Sequence, residues 1–385
     1  MKLTIFHTND IHSHLNEYAR IMTYMAEHRP ELQHPSLYLD IGDHVDLSTP
    51  VTCLLYTSHE ALNNLYNDAQ FKVICANVLD EDGHLPRHIA TSYIKEIEDV
   101  RFLFVAATAP FTPFYRALDW IVTDPLEAIK DEIEQRKGQY DVLIVMSHVG
   151  VFFDEKLCQE IPEIDVILGS HTHHHFNHGE VNNGVLMAAA GKYGYYLGEV
   201  NLTIENKTVI TKEATLHPVD TLPVVKTHFD EEGKNLMNKA IINKPVSLSS
   251  KTNVITKTTY LLAESVYEFT NADCTIINAG LIVNSIEGDQ LTEYDIHTML
   301  PHPINLVRVR LKGSELKKVI LKSQKQEYMY EHVQGLGFRG DIFGGYILYK
   351  CGFIQSEHRF FVDGQEIEDN RTYILGTVDM YTFGR

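Results

Sequence analysis

Four short apolar runs in the first half of the chain end in the same way, on a carboxylate or an imidazole. They are KLTIFHTND, SLYLDIGD, DVLIVMSHVG and DVILGSHTH. Runs of this kind, rich in β-branched residues, read as strands. Between them, EYARIMTYMAEHR and DPLEAIKDEIEQRK carry apolar residues at three- and four-residue spacing, which predicts amphipathic helices. FKVICANV, RFLFVAAT and GVLMAAAG continue the strand pattern. Strand alternating with helix builds layered α/β architecture. In such folds ligands gather on the loops beyond the carboxyl ends of the strands, which is where this chain puts its aspartates and histidines.

The strand ends define four clusters. In HTNDIHSH, Asp10 and His12 stand two apart, so in an extended segment they face the same way. In DIGDH, a glycine lets Asp43 sit at a tight strand end. VMSHVG supplies His148 after a buried run, and LGSHTHHH supplies His171 and His173, again two apart. Taken singly these mean little: Asp-x-His is common, and HTHHH reads equally as a solvated polar loop. Together, two carboxylates and four imidazoles on strand-end loops suit a pair of divalent first-row metals, with one aspartate bridging.

Composition narrows the chemistry. A formal net charge of −19 argues against a nucleic-acid binder, whose affinity comes from neutralising phosphates with Lys and Arg. An acidic protein that handles phosphate needs a local reversal of sign, which bound divalent metal provides. No basic region followed by an apolar run opens the chain, and no stretch is long enough to span a bilayer. Cys53, Cys75, Cys158, Cys274 and Cys351 are scattered without paired spacing. The expectation is a cytoplasmic protein with reduced thiols and no membrane partner, the alternative being a precursor whose leader has been removed.

With 385 residues the chain has room for two cores. Near residues 213–226, KEATLHPVDTLPVV breaks the alternation with two prolines and no periodicity. We expect a first domain over residues 1–215, a connection over 216–228 and a second domain over 229–385. The second reads as α+β: a polar helix over Asp230–Lys239, a helix running into a strand in TTYLLAESVYEFTNADCTIINAG, then mostly strand and hairpin. The sequence stops at MYTFGR in mid-pattern, so this second domain is expected to be incomplete.

HTNDIHSH, DIGDH, SHVG and GSHTHH, in that order, resemble the calcineurin-like metallophosphoesterases, specifically the 5′-nucleotidase branch and within it the leaderless group of Gram-positive bacteria. INAGLIVNSIEGDQLTEYDIHTMLPHPINLVRVRLKGSEL looks like the start of that branch's C-terminal domain. The resemblance runs over essentially the whole chain. It implies a four-layer α/β/β/α sandwich followed by an α+β substrate-binding domain, and two divalent ions drawn from Mn²⁺, Zn²⁺, Co²⁺ or Mg²⁺. It also implies a nucleotide substrate and a monomer or homodimer. By the same resemblance the first ion falls to Asp10, His12, Asp43 and His173. The second falls to Asp43, His148 and His171, together with the Asn of a G-N-H-[DE] motif. Catalysis of this kind uses activated water and needs no protein nucleophile.

That Asn is absent. No G-N-H or G-N-N follows Asp43, and the next family-like segment, SHEALNNLYNDAQFKVICANV, corresponds to what should come after the motif. A helix and a strand should lie between, and six residues, Cys53 to Ser58, cannot supply them. CLLYTS back-translates as TGT-CTC-TTA-TAC-ACA-TCT, which looks like a transposon end used in sequencing libraries. The expectation is that these residues are foreign to the gene; the alternative is a natural deletion. The chain as it stands keeps the first ion's ligands and lacks one of the second's. Weak second-metal occupancy and little turnover follow.

In the resembling family two aromatic rings clamp the base, since stacking tolerates different bases. Phe343 is the expected first ring, and Tyr381 or Phe383 the second; the plain alternative for each is core packing. Where the family reads N-G-G-x-I-R, this chain reads NAGLIV, retaining Asn278 and Gly280 but placing Val283 where the phosphate-contacting Arg belongs. Arg339, in FRGD, is the substitute, a fork donor suited to phosphate. A nucleoside monophosphate is the leading substrate. A nucleotide sugar, a dinucleotide or a cyclic phosphodiester stay open, as does a nucleotide-binding pseudo-enzyme.

Overall fold

A computed structural model describes residues 1–45, 59–252, 254–332 and 337–382; the expectation concerning Cys53–Ser58 lies outside the described residues. In chain order the first half runs β1 (Lys2–Thr8), α1 (Leu15–His28), β2 (Ser36–Asp40), β3 (Ser92–Ile97) and β4 (Val100–Thr108). Then come α2 (Pro125–Gln135), β5 (Val142–His148), α3 (Val151–Glu160), β6 (Val166–Gly169), β7 (Glu180–Asn182), β8 (Val185–Ala188), β9 (Tyr196–Glu205) and β10 (Thr208–Pro218). Two sheets result, one ordered β10-β9-β1-β2 and one ordered β7-β8-β6-β5-β4-β3.

Alternation along the strands decides what each face meets. Leu3 and Ile5 of β1 join Phe102, Phe104, Ile144, Leu168 and Val200 in a core between the sheets. Phe6, on the other face of β1, packs with Ile21 and Met25 of α1. On the far side of the six-stranded sheet, Leu103, Val145 and Ile167 meet Ile129, Ile133 and Leu157 of α2 and α3. The layers are therefore α/β/β/α. Helix α2 starts on a proline, and Asp124 before it caps the amides of Leu126 and Glu127, as the helix-start rules predict.

Strands β4, β5, β6 and β8 run parallel, with Thr108 opposite His148 and Ser147 opposite Gly169. β1 and β2 are also parallel, Thr8 opposite Asp40. Parallel pairing puts the carboxyl ends of each set on one edge of its sheet. One expected strand is shorter than its sequence suggests: FKVICANV yields only Val73–Ile74, and Val78–Asp80 follows, each pairing outside the two sheets. The reason is Asn77, which is fully buried and bonds with its side chain to the Thr108 amide and carbonyl and to the Thr123 carbonyl. A side-chain amide used that way replaces the ladder.

The described chain divides into two compact units between Phe229 and Asp230. Of the stretch expected as a connection, residues 216–218 finish β10, and Val219 is buried against Ile21 and Met25. In the second unit a polar helix ends at Leu236, short of Lys239. Next come α4 (Lys257–Thr270), β11 (Cys274–Asn278), β12 (Leu306–Lys312), α5 (Gly313–Ser323), β13 (Tyr346–Tyr349) and β14 (Thr372–Val378). The sheet order is β12-β14-β11-β13. No helix among the described residues is long and apolar enough to cross a membrane.

One residue of β1 stands out against its apolar neighbours. His7 is fully buried, neither ring nitrogen has a hydrogen-bond partner, and its ring fills the space above Gly198, where a Cβ would lie 2.1 Å from Nε2. Burial pushes its pKa down to about 4, so the folded protein keeps it neutral. The unfolded chain protonates it first, so stability is whole above about pH 6.5 and falls as pH drops toward 4, by up to about 3 kcal/mol. Replacing His7 with Leu should flatten that acid limb in denaturant titrations at a series of pH values; an unchanged limb would refute this. Gly198→Ala should destabilise by roughly 1–3 kcal/mol through overpacking, measured as a lower denaturation midpoint.

Candidate metal centre

The two turns that follow β1 and β2 are laced together before any side chain is considered. Ile41 donates to the Thr8 carbonyl, Asp10 to Gly42, His12 to Asp43 and Ser13 to His44, at 2.8–3.0 Å. This ladder turns residues 10–12 and 43 toward a common point. Asp10, His12, Asp43, His171 and His173 all have left-handed backbones, with φ of 51°, 47°, 49°, 73° and 56°. L-residues rarely adopt that region, at a cost of order 1–3 kcal/mol each, and keep it only where surroundings over-determine it.

Asp10 is fully buried. Its Oδ2 accepts from Asn9 Nδ2 (2.9 Å), Ser170 Oγ (2.7 Å) and the His171 amide (3.0 Å). Its Oδ1 has no hydrogen-bond partner and faces Nε2 of His173, His12 and His148 at 3.4, 3.6 and 3.9 Å. A carboxylate with one oxygen saturated and the other bare, ringed by imidazole nitrogens, has the donor set that a divalent cation completes. Asp10, His12 and His173 form one group whose ligand atoms all lie within 4.8 Å of one another, and Asp43, His148 and His171 form a second. Asp43 Oδ2 lies 3.3 Å from His148 Nε2 and 3.9 Å from His12 Nε2, between the groups, as a bridging carboxylate would. All six metal-ligand candidates from the sequence are thus in one place.

Electrostatics favours positive charge here. Burial opposes ionisation of Asp10, yet the nearby imidazoles of His12 and His173 and the field of His148 hold it well below the usual carboxylate range. Burial likewise opposes Asp43, which His148 nonetheless brings down. Burial works against charge on His148 too, but Asp43 and Asp10 hold it up at about 9. His171 is pushed down by burial and by its neighbour His148. His148 Nδ1 lies 2.9 Å from the Ile41 carbonyl, which can only accept. That bond orients Nε2 inward, the usual arrangement behind a metal-ligating histidine. Gly42 makes it possible: with φ of 103°, a Cβ there would stand 3.0 Å from His148 Nδ1.

Sequence reading missed the supporting residues. Asn9 holds Asp10 while its amide donates to Gly191 O and its carbonyl accepts from the Ala190 amide. Behind the 169–174 turn, the buried carboxyl of Asp154 lies beside Gly169, whose Cβ would come 2.4 Å from Asp154 Oδ2 and 3.4 Å from His174 Nε2. Burial pushes Asp154 up to about 7. Asn9 and Ser170 stood beside named ligands and could have been found by adjacency. Asp154, in the middle of a helix, carried no signal.

The remaining candidates belong to the second unit. Asn278 is fully buried; its amide donates to the Phe343 carbonyl (2.6 Å) and its Oδ1 accepts from Tyr381 Oη. Gly280 lies so close to this loop that a Cβ would be 2.1 Å from Ile342 O. Both residues hold the loop that presents Phe343. Phe343 and Tyr381 meet edge to face, centroids 5.9 Å apart at 63°. Edge-to-face packing of this kind holds each ring against the other. Phe383 lies outside the described residues. Arg339 is half-buried, its amide donating to His302 Nδ1 (2.9 Å), and His302 in turn donates to Leu281 O and stacks on Phe338.

Comparison with known proteins agrees with this geometry. The calcineurin-like phosphoesterase family matches residues 3–175, and the 5′-nucleotidase C-terminal domain matches residues 237–384. An uncharacterized metallophosphoesterase of Bacillus subtilis, YunD, is 32% identical, covering 100% of this chain and 93% of its own length. That alignment spans 431 positions against 385 residues here, so the relative carries stretches with no counterpart in this chain. A candidate 5′-nucleotidase of Staphylococcus aureus, solved with alpha-ketoglutarate, superposes with a TM-score of 0.69 at 15% identity, covering 99% of this chain and 91% of that one. A 5′-nucleotidase precursor of Thermus thermophilus gives 0.58 at 20% identity, covering 100% and 90%. At such identities the two structures speak for the fold alone. With its two domains matched in order and a relative at 32% identity along its full length, the chain belongs to the calcineurin-like phosphoesterase family, in the branch that carries a 5′-nucleotidase C-terminal domain, and is a hydrolase.

Proposed function

We propose that this protein is a divalent-metal-dependent phosphohydrolase that releases phosphate from nucleoside monophosphates. The observation that carries the reading is Asp10, whose Oδ2 is satisfied three times while Oδ1 stands bare among imidazoles. Asp10, His12 and His173 would hold one ion, Asp43, His148 and His171 a second, with Asp43 shared. Ions bound there would activate water and offset the charge gathering on the phosphoryl oxygens. The protein's own part is orientation: Asn9 and Ser170 fix Asp10, and the Ile41 carbonyl fixes His148.

In this reading residues 229–385 recognise the nucleotide, Phe343 offering a stacking face and Arg339 a phosphate donor. The relatives named 5′-nucleotidase from Homo sapiens and Vibrio vulnificus, 24% and 22% identical, support that substrate class. No G-N-H or G-N-N follows Asp43 in the sequence, so in this reading the second group offers one ligand fewer. A cytoplasmic location belongs to the same reading, supported by free thiols at Cys75, Cys158, Cys274 and Cys351.

Chelator-stripped protein should regain hydrolysis with Mn²⁺, and AMP should outpace UDP-glucose and bis-p-nitrophenyl phosphate in phosphate or nitrophenol release. No turnover of any of the three would overturn the proposal; preference for the diester would move it to a phosphodiesterase. Asp43→Asn should lower kcat by more than the roughly 10–100-fold that follows loss of an outer-shell partner. Manganese titration by calorimetry should give two unequal sites, the weaker strengthened when the corresponding stretch of the Bacillus subtilis relative is inserted after Asp43.

A further inference from the structure

The turn joining β8 to β9, GKYGYYLG, crosses from one sheet to the other and takes no part in the ligand set. It is nonetheless clamped to the first metal group at every level. Tyr193 has a left-handed backbone, φ 60°, and its amide donates to the Asp10 carbonyl at 2.7 Å. The residues before it carry the two bonds to Asn9, at Ala190 and Gly191. Gly194 lies so near α1 that a Cβ would stand 2.9 Å from Glu17 Cβ.

The ring of Tyr193 is the hub of an aromatic cluster. It lies 5.8 Å from His12 at 72° and 6.3 Å from His173 at 49°. It stacks on His14 at 4.3 Å and 16°, and Lys192 Nζ stands 4.5 Å from its centroid. His12 and His173, whose Nε2 atoms are 3.2 Å apart, thus share one neighbour that limits how each imidazole can rotate. With no cation present one imidazole can donate its N–H to the other at that distance, and losing that bond when an ion displaces the proton leaves either ring able to rotate. A packed aromatic wall opposes that rotation.

We propose that Tyr193 is a positioning residue of the first metal group: its ring holds His12 and His173 in ligand orientation, and its backbone ties the turn to Asp10. The inference rests on the metal reading above and deepens it. The phenol oxygen is not required; the ring's flat face and edge are. Residues that orient ligands in this way typically matter about 10–100-fold in metal affinity.

The test is equilibrium dialysis against Mn²⁺ for wild type, Tyr193→Phe, Tyr193→Leu and His14→Ala, with thermal melts of the metal-free proteins. Tyr193→Phe should keep the wild-type affinity, because ring shape survives. Tyr193→Leu should weaken the tighter site about tenfold or more while the metal-free melt stays in place. Wild-type affinity in Tyr193→Leu would overturn the inference, and so would a fall in the metal-free melt with no selective loss at the tighter site. His14→Ala removes the stacked partner from a partly exposed position and keeps the test readable if Tyr193→Leu does not fold. It should weaken the same site, and unchanged affinity there would also overturn the inference. A wild type that binds no Mn²⁺ would instead remove the metal reading itself, a distinct result.

Discussion

A carboxylate with no access to water has to find its donors inside the protein, and at Asp10 this requirement organises the first unit. One of its oxygens takes bonds from Asn9 on its own loop, and from Ser170 and the His171 amide on the loop after β6. Two sheets are thereby pinned at their carboxyl edges by a single side chain. The other oxygen is left facing three imidazoles. Leaving a buried acceptor unpaired is expensive, and the cation proposed above would offset that expense.

The surroundings are arranged to keep that geometry when no cation is present. Five of the six candidate ligands sit in left-handed backbone, a conformation that would relax if the ladder between residues 8–13 and 41–44 were broken. Glycines stand where close approach is needed: Gly42 beneath His148, Gly169 beside Asp154 and His174, and Gly198 beneath His7. Each exists to make room for a titratable side chain. The fold thus stores its strain next to the chemistry, and the apolar cores on both faces of each sheet hold it.

The second unit shows how the residues of a motif also serve the fold. Asn278 and Gly280 look like substrate residues because their motif has that meaning in the resembling family. In the fold they brace the loop of Phe343: the asparagine spends both polar ends within the protein, and the glycine admits a carbonyl at van der Waals range. His302 couples the Arg339 segment to Leu281 through both ring nitrogens. A residue's type says what bonds it can make; only its neighbours say which ones it does make.

Order and period along the chain determined the layers, the placing of acids and imidazoles after parallel strands, and the six residues that meet at the candidate metal centre. Those features are local, since strand period, strand ends and ligand types are all written in contiguous residues. FKVICANV forms less strand than its period suggests because Asn77 bonds to Thr108 and Thr123, residues distant in sequence. Asp154, Tyr193 and His7 were invisible for the same reason: each gains its meaning from contacts across elements, with the 169–174 turn, the Asp-x-His loop and Gly198. Which oxygen of Asp10 is bare, and which rings keep His12 and His173 in place, are matters of three-dimensional proximity that no spacing in the chain encodes.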